Sequence, residues 1–251
     1  AITGFVDDYR SLSSRVRFSV HFGASLLALS LLPQLPTLPL GHYEFSLTDF
    51  GLIVAAIGLT WLINLYNFMD GIDGIATTEA ITVLLGASLI LMGHHSSAEL
   101  PLLLIAPLLG FLILNTPPAK VFMGDGCSGY LGISIGLLAI IISSTTAMNL
   151  WCWAILLAVF ISDSSWTLVT RMSTGQRWQE AHRSHAYQIL SRKRQSHGQI
   201  TSGVAAINLL WLTPLAWLAS LAAEYAAVLT LVAYLPLCLL CAKQRAGQPK
   251  H

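Results

Sequence analysis

Residues 48–93 read TDFGLIVAAIGLTWLINLY, then NFMDGIDG, then IATTEAITVLLGASLILMG: two apolar runs joined by a polar turn at 67–74. A transmembrane helix needs about 20 mostly apolar residues to cross the hydrocarbon core. Each run is long enough, so the stretch predicts two membrane-spanning helices whose connecting turn emerges on one side. The same test applied outward finds runs near 17–32, 98–115, 128–147, 150–170, 203–222 and 224–241. With 48–66 and 75–93 that makes about eight helices, the first short and interrupted by His21. No soluble domain fits between them, the longest polar stretch being Arg171 to Ser202. The expected fold is a single all-α, polytopic membrane bundle over residues 1–251.

Composition agrees. Hydrophobic residues make up 55% of the 251-residue chain and charged residues 10%, with a mean hydropathy of +0.67. A soluble domain carries about 25% charged residues, and a disordered chain needs low hydrophobicity with high charge. Both classes are excluded. A net charge of +1 gives no basic footprint for nucleic acid, so the bilayer is the first partner. The opening Ala1-Ile2-Thr3-Gly4-Phe5-Val6 has neither a Met nor a signal peptide and reads as the tail of an apolar segment. The chain is therefore expected to be truncated at its N-terminus. Cys238 and Cys241 form a C-x-x-C within an apolar run and read as small packed residues on one helix face.

Threading the loops alternately places 1–16, 67–74, 116–127, 171–202 and 242–251 on one side. All 13 Lys and Arg residues lie there or at its helix ends, which makes that side cytoplasmic. The same threading sorts the acids. Glu44, Asp49, Glu99 and Glu224 fall at the opposite ends and read as solvated caps. Asp7, Asp8, Asp70, Asp73 and Asp125 converge on the cytoplasmic face from three loops. Like charges brought together repel unless a cation or donor joins them. Hard oxygen donors of this kind suit Mg²⁺, which takes one or two carboxylates plus substrate phosphates.

The local sequences sharpen that reading. Asn67-Phe68-Met69-Asp70-Gly71-Ile72-Asp73-Gly74 sets two Asp-Gly pairs three residues apart, and glycine permits tight turns and close approach to a ligand. Pro117 to Gly126 repeats the device after another apolar helix, with Lys120 as a phosphate-seeking cation. The third element, Arg177 to Gln188, combines basic and imidazole donors with aromatics; taken alone it reads equally as a solvated loop helix. Asp163 stands inside an apolar run about two turns before Arg171. It is either functional or a structural partner of Arg171 or of nearby Ser and Trp donors. His21, His42, His94, His95 and His197 show no metal-ligand pattern.

Gly4-Phe5-Val6-Asp7-Asp8, Asn67 to Gly74, Lys120-Val121-Phe122-Met123-Gly124-Asp125 and the late His-rich loop together resemble the polyprenyl-phosphate N-acetylhexosamine-1-phosphate transferases. The likeness spans nearly the whole chain with the motifs in the family's order. His182-Arg183-Ser184-His185-Ala186-Tyr187-Gln188 is most similar to the O-antigen-initiating branch. The resemblance implies transfer of a sugar 1-phosphate from a UDP-N-acetylhexosamine to polyprenyl phosphate, with release of UMP. It implies a multi-pass protein of the bacterial inner membrane with a cytoplasmic site, Mg²⁺ or Mn²⁺ as cofactor, and room for a homodimer. Residue by residue, Asp7 and Asp8 match the paired acids that engage the lipid phosphate, one as its base. Asp125 matches the Mg²⁺ ligand, with Asp8 beside it. Asn67, Asp70, Asp73 and Asn115 match polar residues of the nucleotide site, and Phe122 an aromatic that stacks on uracil. His182, Arg183 and the catalytic His185 match the loop, within 171–202, that completes the site. The chain departs from the pattern at Tyr187 and Gln188, where relatives continue with histidines.

A secondary transporter is the alternative reading. Its coupling acids belong near the bilayer midplane on broken helices, and Asp163 fits that pattern whereas the five clustered acids do not. An intramembrane aspartyl protease needs G-x-G-D, and Phe122 stands where its first glycine would be. CDP-alcohol phosphotransferases share Asp70-Gly71 but not the residues that follow.

Overall fold

The computed structural model describes residues 2–10, 12–46, 49–177, 180 and 182–249, apart from the side chains of residues 8, 46, 49 and 50. The roles expected of Asp8 and Asp49 therefore fall on side chains outside the described residues, as do Trp178, Gln179 and Ala181 of the late loop. α1 (Ile2–Tyr9) and α2 (Ser14–Ser30) lead through the strands β1 (Thr37–Leu40) and β2 (Tyr43–Ser46) to α3 (Asp49–Met69) and α4 (Ile75–Gly93). α5 (Glu99–Asn115), α6 (Gly124–Thr145), α7 (Leu150–Leu156) and α8 (Ala158–Ser173) follow. α9 (Ala186–Arg194), α10 (His197–Ile207), a π-helical turn (Asn208–Leu212), α11 (Thr213–Leu221) and α12 (Ala226–Lys243) complete the bundle.

The fold is an all-α, polytopic membrane bundle. Gly51–Met69, Ile75–Gly93, Gly124–Thr145, His197–Leu221 and Ala223–Lys243 are each long and apolar enough to cross a membrane. α7 and α8 meet at 76° and together pass as a sixth, bent span. All eight expected segments are helical, but α5 and α2 have only 17 residues each. α2 also carries Arg15, Arg17, Ser19 and His21, which weaken it as a lipid-facing span.

Local chemistry sets the boundaries. Ser13 caps α2 by accepting from the Val16 N–H at 3.4 Å, and Ser196 caps α10 by accepting from the Gln199 N–H at 3.2 Å. Asn149 caps α7 with two bonds, from the Trp151 and Cys152 N–H groups. Such caps satisfy donors that the first turn leaves without intrahelical partners. The β-hairpin occupies what the sequence presents as a plain loop. Its register pairs Leu38 with Phe45 and Leu40 with Tyr43, and the Trp151 indole N–H donates to the Pro39 carbonyl at 2.7 Å.

Tyr66, Met69, Trp153 and Phe160 are buried at the centre of the core, against the alanine-rich face of α4. One carboxyl is sealed among them. Glu79 of α4 is fully buried and accepts from the Asn208 amide at 2.7 Å, with the Phe160 N–H at the start of α8 facing the same group. Asn208 opens the π-helical turn, so this bond ties α4 to a helix irregularity and to the bend between α7 and α8.

Candidate active site

Three elements meet around Asp125. α1 lies against the first turn of α6, and Gly4 makes the contact: a Cβ there would stand 2.5 Å from the Asp125 carbonyl and the Gly126 Cα. That approach brings the Asp7 carboxyl within hydrogen-bonding reach of Asp125. Arg17 of α2 joins them, with Nη1 2.7 Å from Asp7 Oδ2 and 3.9 Å from Asp125 Oδ2. Burial opposes the charge on Asp7, but the Leu12 N–H and Arg17 outweigh it and hold the carboxyl below its ordinary pKa of 3.8. The three side chains line a cavity of about 700 Å³. Phe18, Ile57, Trp61 and Leu168 supply its apolar walls, and Asn67 a further polar group.

The Asp70–Gly74 turn lies near Asp125. Asp70 is pushed up to about 6, first by burial and then by the charge of Asp125. The amide of Asn67 reaches Ser128 of α6 at 3.5 Å. Asp73 Oδ2 accepts from the Ala119 N–H at 3.1 Å, which fastens the turn to the Pro117–Phe122 loop. Asn115 is buried and uses both ends of its amide: Thr77 donates to Oδ1 at 2.9 Å, and Nδ2 donates to the Val121 carbonyl at 2.9 Å. It thereby shapes the loop that presents Lys120 and Phe122, which are exposed, Phe122 to 73%.

The late loop packs against Phe68 and the turn after it, and Asp163 holds it. Asp163 Oδ1 accepts from the Ala186 N–H at 2.9 Å and the Thr167 hydroxyl at 3.1 Å, and His185 Nδ1 lies 3.3 Å away. Oδ2 accepts from the Tyr187 N–H at 2.9 Å. Arg171 does not pair with Asp163 but donates to Gln176 and to the Arg177 carbonyl. The Tyr187 hydroxyl donates to the Phe68 carbonyl at 3.0 Å, across from Gly71. A Cβ on Gly71 would overlap that hydroxyl and crowd the Gln188 amide, so only glycine lets the two loops meet. Tyr187 and Gln188, where the sequence departs from its relatives, thus close the gap between loops. His185 is buried, and its ring stacks with those of His182 at 4.9 Å, Tyr187 at 5.7 Å and Phe68 at 6.5 Å. Burial, then the neighbouring His185, lowers the His182 pKa to about 4. Arg183 is exposed beside them.

The structure thus gathers Asp7, Asn67, Asp70, Asp73, Asp125, His182 and His185 at one end of the bundle. Sequence reasoning passed over Arg17, His197 and Glu79, and it offered Asp163 the partners Arg171 or nearby Ser and Trp donors, where the structure supplies Thr167 and the late-loop N–H groups. A nearby cation is the expected consequence of packing two acids together, so Arg17 was open to inference. The donor set also fits a divalent cation. Asp7 and Asp125 converge, and Asp70 feels the charge of Asp125. Among the described residues no three His, Cys, Asp or Glu side chains form a metal cluster of their own. A Mg²⁺ ion that draws its other ligands from phosphate and water needs only one or two.

Residues 1–143 match the model of glycosyl transferase family 4. The chain is 29% identical over 208 residues to a probable undecaprenyl-phosphate N-acetylglucosaminyl 1-phosphate transferase of Bacillus subtilis (strain 168). That alignment covers 78% of this chain and 56% of the relative. It is 33% identical over 173 residues to a phospho-N-acetylmuramoyl-pentapeptide-transferase of Nautilia profundicola, covering 56% of this chain and 49% of the relative. A phospho-N-acetylmuramoyl-pentapeptide-transferase of Gluconobacter oxydans is 35% identical over 178 residues, with 55% and 47% covered. The chain spans about half the length of the curated relatives it matches.

Proposed function

The chain belongs to glycosyl transferase family 4, and from that premise we propose that the protein moves N-acetylhexosamine 1-phosphate from a UDP-sugar to a polyprenyl phosphate. The observation that carries this reading is the join between an ionic cluster (Asp7, Arg17, Asp125) and an apolar chamber of about 700 Å³. An amphiphile with an anionic head and an isoprenoid tail needs both in one place. The head would meet Arg17, and the first isoprene units would lie against Phe18, Ile57, Trp61 and Leu168.

In the reaction an oxygen of the lipid phosphate bonds to the sugar-bearing phosphorus of the donor, and the bond from that phosphorus to UMP breaks. Two anions must meet, so the protein's task is positioning and charge neutralisation. Asp125, with Asp8, would hold Mg²⁺ or Mn²⁺, whose chemistry is to neutralise the diphosphate. Arg17 and Lys120 supply fixed positive charge near the two phosphates. Asp7, kept ionised by Arg17 and the Leu12 N–H, would act on the lipid phosphate through the Arg17 guanidinium that it orients. Asn67, Asp70 and Asp73 face the nucleotide, which Phe122 covers by stacking, while Asn115 shapes the loop that carries Phe122. His185 and Arg183, with His182 behind them, approach the diphosphate and sugar from the late loop, so that 171–202 completes the site. The proposed site lies on the cytoplasmic face of a bacterial inner membrane, where UDP-sugars are available, with O-antigen initiation as the proposed pathway and a homodimer as the proposed assembly. Asp163, on which a transporter reading would rest, is already engaged by donors from the late loop and its own helix.

The test is UMP release by the full-length protein in detergent with UDP-GlcNAc, undecaprenyl phosphate and Mg²⁺, each omitted in turn, followed by other UDP-N-acetylsugars. UMP that requires both lipid and metal is the expected result. Folded protein that releases none with any donor would refute the proposal.

A further inference from the structure

We infer that His197, outside every motif, is a positioning residue that fixes Asp73 for the donor substrate; the inference rests on the donor site proposed above. Four contacts converge on Asp73. His197 and Thr201 stand four residues apart, on one face of α10, and both grip it. The Asp73 N–H donates to His197 Nδ1 at 3.4 Å, and the same nitrogen lies 3.2 Å from Asp73 Oδ2. The Thr201 hydroxyl donates to the Asp73 carbonyl at 3.0 Å. From the other side, the Ala119 N–H donates to Oδ2 at 3.1 Å. Backbone N–H, backbone carbonyl and Oδ2 are therefore all held by protein.

Among the described residues, Oδ1 is the one polar atom of Asp73 left without a protein partner. A carboxylate fixed at one oxygen presents the other in a single orientation, and a hydroxyl or N–H of the nucleotide is the chemistry it would accept. His197 serves in either protonation state. The neutral ring takes the Asp73 N–H at Nδ1, and the protonated ring donates from Nδ1 to Oδ2. Because His197 opens α10, it also locks that helix to the 70–74 turn, which Asp73 in turn ties to Ala119 of the 117–122 loop.

Three full-length proteins decide the matter: wild type, His197→Leu and His197→Asn. The asparagine amide can set a polar atom near the place of Nδ1, whereas leucine sets none. His197→Leu should raise KM for the UDP-sugar about tenfold, the loss of one hydrogen bond to a charged group, with kcat within about twofold of wild type. Hydrogen–deuterium exchange, read without substrate, should quicken in peptides covering 70–76 and 116–122. His197→Asn should restore both readings. Unchanged exchange in His197→Leu, or a His197→Asn protein that behaves like the leucine variant, would overturn the assignment. If wild type releases no UMP, the proposed reaction falls, while the exchange data still decide whether His197 fixes Asp73.

Discussion

Asp163→Asn isolates what holds the late loop. The carboxylate is buried and serves donors on both oxygens: Ala186 and Thr167 on Oδ1, Tyr187 on Oδ2, with His185 Nδ1 3.3 Å from Oδ1. An asparagine keeps its single oxygen best at the Oδ1 position, where most donors point. Its NH₂ group then faces the buried Tyr187 N–H, donor against donor. The change removes one hydrogen bond to a charged group, worth about 1.5–3 kcal/mol, and leaves an unsatisfied amide behind. Spent on displacing the loop, that energy corresponds to a fall in kcat/KM of roughly 10- to 150-fold, at about 1.4 kcal/mol per decade. The global fold should hold, because no membrane-spanning helix loses packing. The assay pairs UMP release with trypsin cleavage at Arg192–Arg194, which should quicken as the loop comes free. Wild-type kcat/KM together with wild-type resistance to trypsin would refute the reasoning.

Three further outcomes are expected. Asp125→Asn should abolish Mg²⁺-dependent UMP release at an unchanged melting temperature, while Glu99→Gln, far from the acids in sequence threading, should be silent; activity retained in Asp125→Asn would remove the metal assignment. Gly71→Ala should cost most of the activity by forcing Tyr187 off the Phe68 carbonyl, and the double variant Gly71→Ala/Tyr187→Phe, which makes room by deleting the hydroxyl, should recover part of it. A double variant no better than the single would deny the steric cause. Asp70 stands at about 6 in the fold against an ordinary 3.8, so folding disfavours its charged form. Its contribution to stability is therefore intact below pH about 4 and lost as pH rises through about 6. In metal-free buffer the wild-type melting temperature should fall more across that window than that of Asp70→Asn, and parallel curves would contradict the shift.

The membrane fold was legible because hydropathy over some 20 residues is a local property. Each expected apolar run became a helix, and the acidic motifs came together at one end. Irregularities within helices were not legible. The bend at Leu157 carries no proline or glycine to mark it, and Pro214, which opens the helix after the π-helical turn, does not say that the turn begins at Asn208. Both irregularities are held by a carboxyl more than 70 residues distant: Glu79 meets Asn208 and the Phe160 N–H inside the bundle. A lone acid in an apolar run shows that something is required there, but its partner lies in another run, and spacing along the chain does not reveal which. The same holds for Asp163. Arg171, its neighbour in sequence, serves the beginning of the same late loop at Gln176 and Arg177, while donors about 23 residues away take the carboxylate.

Motif membership and ligand contact are also different properties, and the distinction lies in where each polar atom is spent. Asn115 commits both ends of its amide to Thr77 and Val121, and Asp73 commits all but one oxygen. Asp163 and Tyr187, outside the acid motifs, likewise spend their bonds on protein. Their substitution should act through the loops they hold, and a conservative replacement that restores the bond should restore function. Phe122 is 73% exposed, and Lys120 and Arg183 are open as well. These are the groups with capacity left for a nucleotide or a diphosphate. For them a replacement that preserves the fold should still fail, because no protein bond stands in for the lost one. The two classes are therefore separable by rescue, which static proximity to the site does not achieve.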